Sequence, residues 1–158
     1  MDLGIERREL PAERLLAIEL KTTPERFVAD LSAAFGEIGE VLAQIGAAVT
    51  GPGICAQPLA EAEIGQRVVV AGIPFTYEGE IEPGDGMAIE EFSGGPALVG
   101  TLHGSYDQLP EAWTEMRAAL AEHGKARPKA MSYEYFVRSM ANVVNSDELI
   151  TELVIPLV

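Results

Sequence analysis

One order of segments occurs twice along this chain, and that repetition restricts the fold more than any single motif. An extended run, RLLAIEL, precedes an amphipathic stretch from roughly Pro24 to Ile45; a second, ALVGTLHG, precedes another from Asp107 to Glu122. Phe27, Leu31, Phe35, Ile38, Leu42 and Ile45 recur at helical spacing in the first stretch, and Leu109, Trp113, Met116 and Leu120 in the second. GPGICAQ and KAMSYEYFV supply a strand after each helix, and RVVVAGIPF and ITELVIPLV close the two halves. Each half therefore reads strand, helix, strand, strand. Setting AGIPF against LVIPL matches Pro74 with Pro156, and the helices match as Leu31 with Leu109 and Phe35 with Trp113.

The expected fold is α+β: tandem duplicated β-α-β-β halves forming one antiparallel sheet, two long helices on one face, and a ligand pocket at the seam. A length of 158 residues suits one domain over 1–158, with pseudo-repeats at about 3–76 and 86–158. Local signals agree. TTPE offers Thr22 as N-cap with Glu25 at capping-box spacing and Pro24 in the first turn. Ser105 or Asp107 caps the second helix, Pro110 falls in its first turn, and Gly46 and Gly124 close the two helices. Between the halves, TYEGEIEPGDGMAIEEF reads as a solvated connection that re-enters a strand near Met87.

The last strand holds an anomaly. Glu152 interrupts ELITELVIPLV, and the matching position of the first half is Val70. Alternation puts Glu152 on a face with Ile150 and Val154, and Leu149, Thr151, Leu153 and Ile155 on the other. Apolar residues on both faces predict a central strand covered on both sides, with Glu152 in a largely apolar setting. As a plain strand residue, Glu152 would reach solvent or an arginine such as Arg138; as a functional one, it suits an organic cation through charge pairing, helped by aromatic faces. Tyr and Trp cluster in the second half, at Tyr106, Trp113, Tyr133 and Tyr135. Trp113 lies on the apolar stripe of its helix and reads first as core, Tyr133 and Tyr135 read equally as pocket lining or outer-edge packing, and Tyr106 reads as packing.

Other chemistry is thinly supplied. A net charge of −14 has the wrong sign for nucleic acid or an anionic membrane and weakly favours cationic ligands. A single cysteine, Cys55, excludes an intrachain disulfide and points to a reducing, cytoplasmic setting. Cys55 has no local base and reads as a small buried residue. His103 and His123 lack ligand spacing for a metal, no GxSxG elbow occurs, and no cofactor fingerprint is present.

The run GGPALVGTLHGSYDQLPEAWTEMRAALAEHG, followed by YEYF and the terminal ITELVIPL, resembles the GyrI-like small-molecule-binding domain, the effector-binding domain of AraC-type and MerR-type regulators. The resemblance covers nearly the whole chain and is better in the second half. It implies a stand-alone sensor unit without a DNA-binding half, holding lipophilic and often cationic compounds between its halves. By that resemblance Glu152 is the polar anchor, and Trp113, Tyr133, Tyr135 and Phe136 supply the aromatic contacts. The loop RSMANVVNSDE before the last strand is positioned to cover the pocket. Two alternatives follow from the same likeness: a hydrolase of strained electrophiles with Glu152 as general acid or base, and a gyrase-inhibitor-like module with a protein partner. A homodimer is compatible with each.

Overall fold

The computed structural model describes residues 1–59, 67–128 and 131–158; Lys129 and Ala130, at the head of KAMSYEYFV, lie outside them. The described strands are β1 (Glu6–Leu10), β2 (Glu13–Thr22), β3 (Ala48–Val49), β4 (Ile54–Pro58), β5 (Arg67–Thr76), β6 (Met87–Phe92), β7 (Gly95–His103), β8 (Met131–Arg138) and β9 (Ile150–Pro156). The helices are α1 (Phe27–Ile45) and α2 (Leu109–His123), the latter entered through a 3₁₀ turn at Tyr106–Gln108. No described helix is long and apolar enough to cross a membrane.

Every neighbouring pair in the sheet is antiparallel, in the order β1-β7-β9-β8-β4-β5-β2-β6, with β3 added to the end of β5. Exchanging β1 with β6, β2 with β7, β4 with β8 and β5 with β9 reverses that order without altering it. The centre of the pattern is the β4–β8 pair, where Cys55 faces Glu134, flanked by Ile54 opposite Tyr135 and Ala56 opposite Tyr133. The outer strands are crossed over: β1 leads into β2 but pairs with β7, while β6 leads into β7 but pairs with β2. β1 is absent from the sequence reading because ERREL carries the charge of an edge strand rather than an apolar alternation.

Both helices lie on one face. α1 buries Phe27, Leu31, Ala34, Ile38 and Leu42, and α2 buries Leu109, Ala112, Trp113 and Met116. These pack on the larger side chains of the sheet, Leu16, Ile73, Leu98, Leu153 and Ile155 among them. Burial of a Leu or Ile side chain stabilises by about 1.5–3 kcal/mol, so these rows fix the helices to the sheet. The start of α1 differs from expectation. Thr22 is the last residue of β2, in register with Arg67, and its hydroxyl bonds to the Thr23 carbonyl, so no capping box forms; the helix begins after Arg26, which donates to Thr23 through a turn. The second start agrees with expectation, since Ser105 Oγ accepts from the Asp107 amide.

The other face is concave. Phe92 of β6 and Tyr133 of β8 meet edge to face with ring centroids 5.0 Å apart. Three strands separate β6 from β8, so a flat sheet would hold them about 19 Å apart. The sheet therefore curls, and small residues line its inside: Ala97, Val99 and Val154 pack there with Leu10, Tyr133 and Tyr135.

The crossing of the outer strands depends on a glycine. Gly94, at φ +74°, joins β6 to β7, and a Cβ there would come within 2.7 Å of the Ala12 nitrogen and 2.8 Å of the Leu10 oxygen. Gly94→Ala is expected to cost about 2 kcal/mol, through both the φ and the backbone clash. Equilibrium urea unfolding measures it, and an unchanged midpoint would show that the two connections are not pressed together.

Candidate functional site

A cavity of about 370 Å³ opens between α1 and the end of β8. Phe27, Leu31 and Phe35 of α1 form one wall, Phe136 of β8 and Tyr106 the other, and Ser139, Met140 and Ala141 lie over it. The loop expected to cover a pocket thus does line one. The cavity draws on both halves of the chain, since Gly53 and Ile73 complete it from the first.

Phe136 is the hub of an aromatic cluster, with edge contacts to Phe27, Phe35 and Tyr106 at centroid distances of 6.4, 6.0 and 5.7 Å. Gly53 makes this geometry possible. A Cβ at that position would lie 2.9 Å from the Phe35 ring, and the Gly53 carbonyl accepts from the Phe136 amide at 2.9 Å. The second glycine of GPG therefore lets a phenyl ring lie against bare backbone beside the seam.

Behind this wall sits a carboxylate. Glu134 shares its strand face with Phe136 and is only 1% exposed; its Oε2 accepts from the Trp113 indole at 3.2 Å, and Trp113 is equally buried. Burial first, then Glu134, raise the Tyr106 phenol above its ordinary value, against an opposing hydrogen bond with the Met140 backbone.

The structure distributes the residues anticipated from sequence over two faces. Phe136 lines the cavity, and Trp113 is core, tied to Glu134. Tyr133, Tyr135 and Glu152 lie on the concave face, away from the helices. Glu152 is not in an apolar setting. Its side chain is 24% exposed, and its Oε2 accepts from Arg8 Nη1 at 2.7 Å, with Arg8 also bound to Glu6. The partner is thus Arg8, carried in by the crossed-over β1, rather than Arg138. Glu134, Tyr106, Phe27 and Phe35 were not singled out as site residues. One signal pointed to Glu134: a tryptophan on a buried helix stripe needs an acceptor for its indole N–H.

The GyrI-like small-molecule-binding domain model matches residues 5–158. This chain belongs to that family. No curated protein matches it by sequence. Solved structures show the same fold for this GyrI-like domain. The EcmrR C-terminal domain is 16% identical at a TM-score of 0.79, with 99% of this chain and 98% of that one covered. A hydrolase from Listeria innocua is 13% identical at 0.67, covering 96% and 90%. SAV2435, bound to tetraphenylphosphonium, is 13% identical at 0.62, covering 98% and 93%.

The concave face of this GyrI-like domain has its own electrostatics. Burial is the first cause raising the phenols of Tyr133 and Tyr135; Glu13, Tyr133 and Glu152 add to it at Tyr135, while Arg127 opposes and Glu90 adds at Tyr133. A phenol raised on folding binds its proton more tightly in the native state, so this stability is complete below the ordinary tyrosine value of about 10 and is lost as pH climbs through the raised values. Urea midpoints are expected to fall above about pH 10, and to fall less steeply in Tyr135→Phe. Parallel curves for parent and variant would remove Tyr135 from that dependence.

Proposed function

We propose that this domain takes up lipophilic compounds, organic cations among them, in the cavity between α1 and the end of β8. The two halves, at about 3–76 and 86–158, each contribute one wall. The observation that carries the reading is an apolar, aromatic-walled cavity of about 370 Å³ with a buried carboxylate, Glu134, behind it. Ring faces attract a cation most strongly where water is excluded, and a negative charge behind the rings adds to that attraction. The net charge of −14 acts in the same direction at long range. Glu152, the anchor anticipated from sequence, lies across the sheet from this cavity and already has a cationic partner in Arg8. Glu134 takes the anchoring role in this proposal. The ligand named for SAV2435, tetraphenylphosphonium, supports the class of compound and supplies a probe.

Trp113 is the sole tryptophan, which makes its fluorescence a local reporter. Titration with tetraphenylphosphonium is expected to change Trp113 emission saturably without consuming the compound. Glu134→Gln, which keeps an acceptor for the indole, should weaken binding about tenfold or more, and Phe136→Ala at least as much. Glu152→Gln should bind as the parent does. Equal affinity in Glu134→Gln, or weakening confined to Glu152→Gln, would move the anchor back to the concave face.

A further inference from the structure

A second cleft, of about 670 Å³, lies at the ends of β2, β5 and β6, where Phe75 lines it two residues along β5 from Ile73 of the aromatic cavity. Its walls include Arg14, Glu91, Thr50, Thr76, Phe75 and Tyr77. Arg14 faces Glu91 directly across the β2–β6 pair, one strand spacing away. Opposite charges set directly across a strand pair attract one another and are close enough to form an ion bridge. Here they form none. The Arg14 guanidinium leans the other way, over the Phe75 ring at 4.9 Å from its centroid, and neither Arg14 nor Glu91 has an ion-pair partner among the described residues.

The cleft thus presents a guanidinium and the Glu91 carboxylate side by side, each with unused hydrogen-bonding capacity, and a second carboxylate, Glu13, which burial holds above its ordinary value, also belongs to its lining. The cation–π contact with Phe75 holds the guanidinium beside the cleft, and its N–H groups are not engaged by a carboxylate among the described residues. A simple anion would meet Glu91 as a like charge, and a simple cation would meet Arg14. A molecule carrying both charges a few bonds apart satisfies both residues at once. The hydroxyls of Thr50, Thr76 and Tyr77 add neutral donors and acceptors, and the aromatic surface of Tyr77 accommodates an apolar substituent.

We propose that this cleft is a binding site for a small zwitterion of the free amino acid class, its carboxylate on Arg14 and its ammonium on Glu91. The site is independent of the cavity beneath α1. Failure of one leaves the other standing.

Amide chemical-shift titration of the whole chain with L-phenylalanine tests it. Saturable shifts are expected at Thr76, Tyr77 and Glu91, unaffected by prior saturation with tetraphenylphosphonium. Phenylalaninamide, which lacks the carboxylate, and N-acetylphenylalanine, which lacks the ammonium, should each bind about tenfold more weakly or worse. Arg14→Gln and Glu91→Gln should weaken phenylalanine to a similar degree, and Arg14→Lys should restore only part of it, since an ammonium lacks the planar fork. Glu91 is exposed, so Glu91→Gln reads the same interaction should Arg14→Gln disturb packing on Phe75. Absence of saturable shifts at these positions would overturn the proposal. So would equal binding of either derivative, which would reduce the cleft to a simple anion or cation site.

Discussion

The pairing of β4 with β8 is the contact on which the rest of the molecule depends. Five residue pairs, from Ile54 opposite Tyr135 to Pro58 opposite Met131, join two four-stranded groups into one sheet. The aromatic cavity continues that seam: Gly53 stands just before β4, Phe136 just after the paired part of β8, and a backbone hydrogen bond links them. Separating the strands would therefore open the cavity floor as well as the sheet. The crossed-over β1 and β6 make the join difficult to undo. Each half keeps an outer strand in the other, so neither group retains its full sheet without its counterpart.

Curvature follows from the same join. Eight antiparallel strands with a consistent twist cannot stay flat, and the residue sizes on the two faces set the sense of the curl. Leu16, Ile73, Leu98, Leu153 and Ile155 occupy the helix side, whereas Ala17, Gly72, Ala97, Val99 and Val154 occupy the other. Small side chains allow the concave surface to close on itself until Phe92 reaches Tyr133. The convex side keeps room for two helices and for the cavity between α1 and the end of β8.

Much of this was legible in the chain, because burial enforces a period. The two helices, the strand after each, the Pro74 and Pro156 strands and the single sheet all follow from apolar spacing. What escaped was set by tertiary partners. ERREL becomes a strand only because β7 offers an edge to it, and Thr22 cannot cap α1 because it lies four residues before Arg26, where the helix starts. Site residues escaped for a related reason. Alternation assigns Glu152 and Val154 to one face and Leu153 and Ile155 to the other, but both rows are apolar enough to lie beneath a helix. Side-chain volume decides between them. Glu134, in the middle of SYEYF, has the sequence appearance of a polar strand residue between aromatic ones, and only the burial of Trp113 beside it marks it as an interior carboxyl group.

The register also explains why the buried carboxyl group occurs on one side only. Pro74 and Pro156 occupy equivalent places in β5 and β9 under the strand exchange that reverses the sheet order; Cys55 faces Ala71 as Glu134 faces Leu153, three residues before each proline. Cys55 and Glu134 are therefore counterparts, and they also face one another across the central pair. A carboxylate at both would set two buried like charges directly opposite, at the Cα spacing of about 5 Å typical of paired strands. That arrangement is unfavourable by both repulsion and desolvation. One position can hold the charge only if its counterpart stays uncharged and small. The helix residues divide in the same way. Trp113 donates to Glu134 in one half, while its counterpart Phe35, with no donor to offer, turns to Gly53 and the cavity. The centre of the sheet thus has a carboxyl side and an open side, because a glutamate at both positions would place two carboxyl groups face to face.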